Sequence, residues 1–172
     1  MNLRVVEKED LSLLAEWVNK PEVFGEFNPL RQTSQADMER THGDNQFEAG
    51  EFFVENKKGG KVGYIWHFSV LHPAVKLLEI GYSLLPNERG KGYCTEAVGM
   101  MLDYLFLSRN AMRIQALTDV RNAGSQRVLD KAGFKREGTL RRLIFMRGDW
   151  RDAYVYSILR EEWKEPKTLA TG

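Results

Sequence analysis

The segment NERGKGYCTEA, residues 87–97, sets the order of the elements that the sequence predicts. An apolar run before it, residues 77–85, predicts a strand, and a periodic run after it, residues 93–107, predicts a helix. A glycine-rich turn between a strand and a helix directs backbone N–H groups and a helix N-terminus towards one point, which favours an anion such as a diphosphate. Gly90 and Gly92 permit a close approach of backbone to ligand, and the neighbouring Arg89 and Lys91 add positive charge.

Such a turn is a weak signal by itself, because an ordinary strand-to-helix connection can have the same composition. Two known phosphate-binding loops are excluded by the spacing. A Walker loop requires Gly-Lys-Ser/Thr, whereas Gly90 and Lys91 are followed by a second glycine. A dinucleotide fingerprint requires a third glycine three residues after Gly92, and Thr95 occupies that position.

Alternating and periodic runs on both sides of the turn predict the remaining elements. Before the turn we expect a strand, two helices and an antiparallel meander of three strands, at residues 3–7, 10–19, 34–43, 51–56, 62–70 and 77–85. After the helix we expect a strand, a second helix and a final hairpin, at residues 111–118, 122–133, 134–146 and 152–160. Asp10 and Asn122 are the expected caps of the first and last helices. The pattern predicts a mixed α/β (α+β) fold, with one domain over residues 1–165 and a frayed tail over residues 166–172.

Composition predicts a globular protein of 172 residues, with 42% hydrophobic and 28% charged residues. The formal net charge is +1, which does not indicate a nucleic-acid or membrane-surface binder, although residues 131–151 lean basic. The single cysteine excludes an intrachain disulfide and is typical of a reducing compartment. Since no run approaches membrane-spanning length and no apolar leader is present, we expect a cytoplasmic protein.

Four segments together resemble the Gcn5-related N-acetyltransferase (GNAT) superfamily, and within it the Rim-type ribosomal-protein N-terminal acetyltransferases. These are LEIGYSL at 78–84, RGKGYCTEA at 89–97, NAGS at 122–125 with KAGF at 131–134, and GDWRD at 148–152. The superfamily loop usually begins with Gln or Arg, where this chain has Asn87. The resemblance implies a central sheet whose fourth and fifth strands splay apart, and acetyl-CoA as co-substrate.

The resemblance also implies which residues bind the co-substrate. Backbone N–H groups of six consecutive residues would hold the pyrophosphate: Arg89, Gly90, Lys91, Gly92, Tyr93 and Cys94. The pantetheine arm would bond the backbone near Leu84 and Leu85, and Asn122 would contact the arm as well as cap its helix. Many polyamine-type relatives have a tyrosine where this chain has Leu129, so that acid is absent here.

The implied reaction is a direct attack of a neutral amine on the thioester, which requires a proton acceptor and a proton source for the leaving thiolate. Glu79 is the candidate base, either directly or through a water, although a strand glutamate often only pairs with a neighbour. Ser125 matches the position of the proposed acid in Rim-type members. An α-amine, with a pKa of about 8, is neutral more often than a lysine amine at about 10.4. We therefore expect a protein N-terminus as acceptor.

Two alternatives stay open at this point. The acceptor could be a small molecule such as an antibiotic, a polyamine or an amino acid, or the fold could serve as a non-catalytic acyl-CoA-binding module. A homodimer is also compatible with the sequence. His42, His67 and His72 lack metal-ligand spacing, so no metal site is expected. Cys94 falls on the apolar stripe of its helix, which predicts packing and not a nucleophile.

Overall fold

The computed structural model describes residues 1–29, 32–43, 49–72 and 75–166. Strands occupy Asn2–Val5 (β1), Gly50–Glu55 (β2), Lys61–His72 (β3), Val75–Leu84 (β4), Arg113–Asp119 (β5), Lys135–Met146 (β6) and Asp149–Leu159 (β7). Helices occupy Leu11–Asn19 (α1), Pro21–Phe24 (α2), Gln35–Gly43 (α3), Tyr93–Ser108 (α4) and Ala123–Lys131 (α5). Short 3-10 turns, Lys8–Asp10 and Pro86–Glu88, precede α1 and the glycine turn.

The strands form one sheet in the order β1-β2-β3-β4-β5-β7-β6. Every neighbouring pair is antiparallel except β4 and β5, which run parallel because α4 crosses between them. Those two strands pair only at Leu78 with Ile114 and at Glu79 with Gln115, and β4 then continues to Leu84 without β5. The mixed, mostly antiparallel sheet with a splayed fourth and fifth strand is therefore confirmed.

Helices cover both faces of the sheet. On one face, the predicted apolar stripe of α4 packs on β4 and β5 through residues such as Met101 and Leu105. On the other face, Leu14 and Trp17 of α1 pack on Phe53 and Tyr64. Since side chains alternate along a strand, the two faces of β4 present different residues to these two layers.

Gly81 lies on the α1 face of β4 beneath an aromatic ring. A Cβ atom at this position would come within 2.3 Å of the Trp66 side chain. The glycine therefore allows Trp66, directly opposite on β3, to lie flat across β4.

Asp10 is the N-cap residue of α1, as expected, but its side chain does not make the expected cap hydrogen bond. Its carboxylate accepts instead from both terminal nitrogens of Arg4 and from Lys61 Nζ, each at 2.8 Å. These bonds hold the pKa of Asp10 below its ordinary value, chiefly through Arg4. Asp10 thus ties β1 and β3 to the start of α1.

The last hairpin and the cap of α5 agree with the sequence pattern. Arg147 and Gly148 join β6 to β7 with positive φ angles of 52° and 80°, as a type I′ hairpin turn requires. Asn122 Oδ1 accepts a bond from the Ser125 amide at 3.0 Å and so caps α5.

Residues 167–172, most of the tail expected to fray, lie outside the described residues. No helix within the described ranges is long and apolar enough to cross a membrane.

Candidate functional site

A cleft of about 490 Å³ opens where β4 separates from β5. Four segments form its walls: residues 25–28, the end of β4, the glycine turn and the start of α5. Among the residues named from the sequence, it is lined by Leu84, Arg89, Gly90, Cys94, Asn122 and Ser125. The structure therefore brings residues from three distant parts of the chain to one space.

The glycine turn presents backbone donors that the protein itself does not use. Gly90 and Gly92 have φ angles of 76° and 85°, in the region that favours glycine, and a Cβ at either would meet no atom within 4 Å. In the part of the chain that the structure describes, the amides of residues 90–95 donate to no acceptor, whereas the Arg89 amide donates to Pro86 O at 3.3 Å. The turn thus leaves open donors at the N-terminus of a 16-residue helix, a suitable place for a phosphate.

The two cations beside the turn are engaged with the protein. Arg89 Nε donates to Leu84 O at 3.1 Å, and its Nη2 donates to Val23 O at 3.0 Å. Lys91 Nζ lies 3.1 Å from a carboxylate oxygen of Glu88. Attraction for an anion at this turn therefore comes mainly from the backbone and the helix terminus, and Arg89 fastens the turn to α2 and β4.

The backbone of β4 distinguishes the two leucines that were expected to bind the pantetheine arm. The Leu85 amide donates to Val62 O on β3 at 3.0 Å. Because such bonds alternate along a strand, the backbone groups of Leu84 face the other way, towards the gap. The amide of Leu84 thus faces the gap, where the contact was expected, whereas its carbonyl group accepts from Arg89 and the amide of Leu85 is committed to β3.

At the start of α5, Ser125 meets a residue that the sequence did not single out. Its Oγ lies 2.8 Å from the Tyr82 hydroxyl, and the two are hydrogen-bonded. Burial raises the pKa of Tyr82, so the phenol keeps its proton at physiological pH. The Asn122 cap and Tyr82 together fix the serine beside the cleft. Tyr82 stands in the alternating apolar run of β4, where it reads as a core residue.

Glu79 lies on the α1 face of β4, opposite the face that holds Tyr82 and Ser125. Its Oε2 accepts a bond from Gln115 Nε2 at 2.7 Å, at the last rung before the strands separate. Burial raises the pKa of Glu79, while the Gln115 bond acts in the opposite direction. The two candidate catalytic residues therefore flank the gap from opposite sides of the sheet.

A second cavity of about 350 Å³ lies on the α1 face and shares Asn28 with the cleft. Glu51, Tyr64 and Trp66 line it, and the Tyr64 hydroxyl donates to Glu51 Oε1 at 2.6 Å. Sequence reasoning did not identify Glu51 as a site residue. Its position at the start of an alternating strand was the only signal in the sequence.

The histidines do not form a metal site in the described ranges, where no cluster of three or more potential ligands occurs. His67 is buried against the rings of Phe52 and Tyr104. The side chain of His72 is not among those described.

Comparisons with known proteins agree with this arrangement. A family model described as an acetyltransferase (GNAT) domain matches residues 1–135. An uncharacterized N-acetyltransferase, p20, of Bacillus licheniformis is 34% identical over 95% of this chain and 94% of its own length. The putative ribosomal N-acetyltransferase YdaF of Bacillus subtilis is 28% identical over 97% of this chain and 95% of its own.

A solved structure shows the same fold. It is a spermidine N-acetyltransferase from Vibrio cholerae in complex with CoA and spermine, with a TM-score of 0.83. The match covers 94% of this chain and 96% of the other at 21% identity.

Burial of Cys94 leads to a prediction about its reactivity. Burial raises the pKa of the Cys94 thiol to about 12, so almost none of it is thiolate near neutral pH. We expect the native protein to react with a disulfide reagent at least about a hundredfold more slowly than the unfolded chain. The single cysteine makes the assay unambiguous. Equal rates in the native and unfolded states would show that the Cys94 thiol is accessible and that its pKa is not raised.

Proposed function

Because the chain belongs to the acetyltransferase (GNAT) family and is an N-acetyltransferase, we propose that acetyl-CoA is its acetyl donor and that a primary amine is its acceptor. The main support is the row of open amides at residues 90–95, at the mouth of the gap between β4 and β5. Relatives that match almost the whole chain are N-acetyltransferases, so we do not retain the alternative of a non-catalytic acyl-CoA-binding module.

The residues present fit the chemistry of coenzyme A. The amides of residues 90–94 and the α4 N-terminus would hold the pyrophosphate, as several donors can share a doubly charged group. The backbone of Leu84 and the side chain of Asn122 line the same cleft and would hold the pantetheine arm. The gap then directs the thioester towards the rung of Glu79 and Gln115, where the strands meet.

The co-substrate supplies an activated thioester, and the chain supplies proton transfer and positioning. Glu79 would accept the proton of the attacking amine, directly or through water, and its raised pKa makes it a better base than an ordinary carboxylate. Ser125 would donate a proton to the departing thiolate. Tyr82, at 2.8 Å, would hold the Ser125 hydroxyl in place.

The acceptor can belong to one of two classes. The name of YdaF and the resemblance to Rim-type enzymes support a protein N-terminus, whose α-amine is neutral more often than a lysine amine. The cavity beside Trp66 supports a compact amine. The Glu51 carboxylate and the aromatic rings in its wall fit a cation better than they fit the backbone of a peptide. We favour the compact amine on this observation.

The glycine turn is tested by Gly92→Val. The variant should weaken acetyl-CoA binding at least about tenfold, because a side chain at a φ angle of 85° both strains the turn and projects where the ligand approaches. Calorimetric titration measures the change. Gly59→Val is the matched control, since Gly59 has a φ angle of 79°, equally open surroundings and a place in a distant hairpin. Equal affinity in both variants and the parent would contradict the assignment of the turn.

The acid is tested by Ser125→Ala. We expect kcat to fall by about a hundredfold, as is usual when a general acid is removed, while the Kd for acetyl-CoA changes less than about twofold. Tyr82→Phe should give a smaller loss of kcat because only the positioning of Ser125 changes. Ser108→Ala, at the exposed end of α4, is the control. An unchanged kcat in Ser125→Ala would remove this residue from the mechanism.

The base is tested by the pH dependence of Glu79→Gln. Only the carboxylate form accepts a proton, so kcat/KM of the parent should fall as pH drops through the raised pKa of Glu79. The variant should lose that limb of the profile, measured between about pH 5 and 9, and keep the limb that belongs to the amine. Gln115→Leu should move the Glu79 limb to higher pH, because it removes the bond that favours the charged form. Identical profiles in the parent and Glu79→Gln would exclude Glu79 as the base.

A further inference from the structure

We propose that the cavity beside Trp66 binds the acceptor, and that this acceptor is a compact aliphatic amine with a second cationic group, which Glu51 holds. The inference rests on the proposed function, since it concerns the amine that receives the acetyl group. The cavity lies between the sheet and helices α1 and α3. Apolar side chains form part of its wall, at Leu11, Leu14, Val18 and Met38, and the polar residues Asn28, Thr33, Asp37 and Thr41 form the rest.

Glu51 is a fixed carboxylate with limited charge compensation. Buried Tyr64 donates to Oε1 at 2.6 Å, which orients the carboxylate and leaves Oε2 outside this bond. Within the described residues, the only ion-pair partner of Glu51 is His42, whose Nδ1 lies 3.6 Å from Oε2. An imidazole is charged only when it is protonated. No lysine or arginine among those residues neutralises Glu51.

The other carboxylate of this cavity is already satisfied. Asp37 accepts hydrogen bonds from the Ser34 hydroxyl and from Arg40 Nη2, both at 2.7 Å. Asp37 thus belongs to the cap of α3, and Glu51 is the carboxylate left to meet a ligand.

The aromatic rings beside Glu51 complete a site for a cation. Tyr64 and Trp66 stack with ring centroids 5.1 Å apart and an interplanar angle of 26°. An ammonium group beside a carboxylate and over an aromatic face gains from both, whereas a second carboxylate in the ligand would be repelled. The apolar walls suit the methylene groups that join two amines.

The strand register relates this site to the reaction site. Glu51 lies opposite Trp66, and Trp66 lies opposite Gly81, so all three share the α1 face of the sheet. Two strand spacings separate Glu51 from β4, a distance of about 10 Å. Glu79 follows on the same face of β4, at the closed end of the gap. A ligand held at Glu51 by one amine can therefore present the other amine beside β4 if several methylene groups separate them.

The test compares three acceptors of equal chain length: hexamethylenediamine, hexylamine and the corresponding ω-amino acid. The parent enzyme should have its highest kcat/KM with the diamine. Glu51→Gln keeps the size of the side chain and the Tyr64 bond but removes the charge, and should lower kcat/KM for the diamine about 10- to 100-fold. The value for hexylamine should change less than about twofold. Glu161→Gln, an exposed carboxylate near the end of β7, is the charge-matched control.

A second variant and a binding measurement separate the possible results. Tyr64→Phe should produce a smaller loss that is again confined to the diamine, because it frees the Glu51 carboxylate from its fixed orientation. Equal losses with all three acceptors would mean that Glu51 only supports the fold, and would overturn the proposal. A preference for a short peptide that Glu51→Gln leaves unchanged would also overturn it.

Calorimetry with hexamethylenediamine in the presence of CoA distinguishes this inference from the proposed function. Binding that depends on Glu51 without any turnover would support the cation site and refute amine acetylation. Turnover of all amines without dependence on Glu51 would support acetylation and refute the cation site.

Discussion

The separation of two parallel strands is the constraint on which the candidate site depends. β4 and β5 exchange hydrogen bonds at two residue pairs and then diverge, so backbone groups at the inner edge of β4 lose their partner in the sheet. Unpaired backbone groups within a protein are costly unless a ligand, a side chain or water satisfies them. The open amides of residues 90–95 stand at the mouth of the same gap. The candidate site is therefore made largely of main chain, and under the proposed function its affinity for a diphosphate would arise from chain geometry more than from charged side chains.

Three arginine side chains beside this gap bind the backbone of one wall of the cleft. Arg89, Arg147 and Arg151 each donate to a backbone carbonyl between residues 23 and 26. They reach this segment from the glycine turn and from the β6–β7 hairpin, and the segment forms one wall of the cleft. Two of the basic residues between positions 131 and 151, Arg147 and Arg151, thus hold one wall of the cleft in place. Because backbone carbonyl groups hold Arg89 and Glu88 pairs with Lys91, an anion at the turn would bind mainly to the amides.

Local features of the chain were predictable from sequence, and contacts between distant elements were not. The start of α4 at Tyr93, the cap at Asn122 and the hairpin turn at Arg147 depend on a few neighbouring residues, and the structure shows each where the pattern placed it. Asp10 is the N-cap residue of α1, as expected, but its carboxylate makes no cap bond, because Arg4 and Lys61 bind it from other strands.

In the candidate site, too, local features were predictable from the sequence and contacts between distant elements were not. The glycine turn could be read from sequence, whereas the pairing of Tyr82 with Ser125 depends on how α5 packs against β4. The carboxylate of Glu51 reaches Tyr64 only through the register of β2 on β3.

The most direct measurement of the central claim follows backbone amide resonances while acetyl-CoA is added to the protein. We expect the largest shift changes and the strongest protection from exchange at the amides of residues 90–95. Saturable binding of acetyl-CoA that leaves those amides unchanged would contradict it.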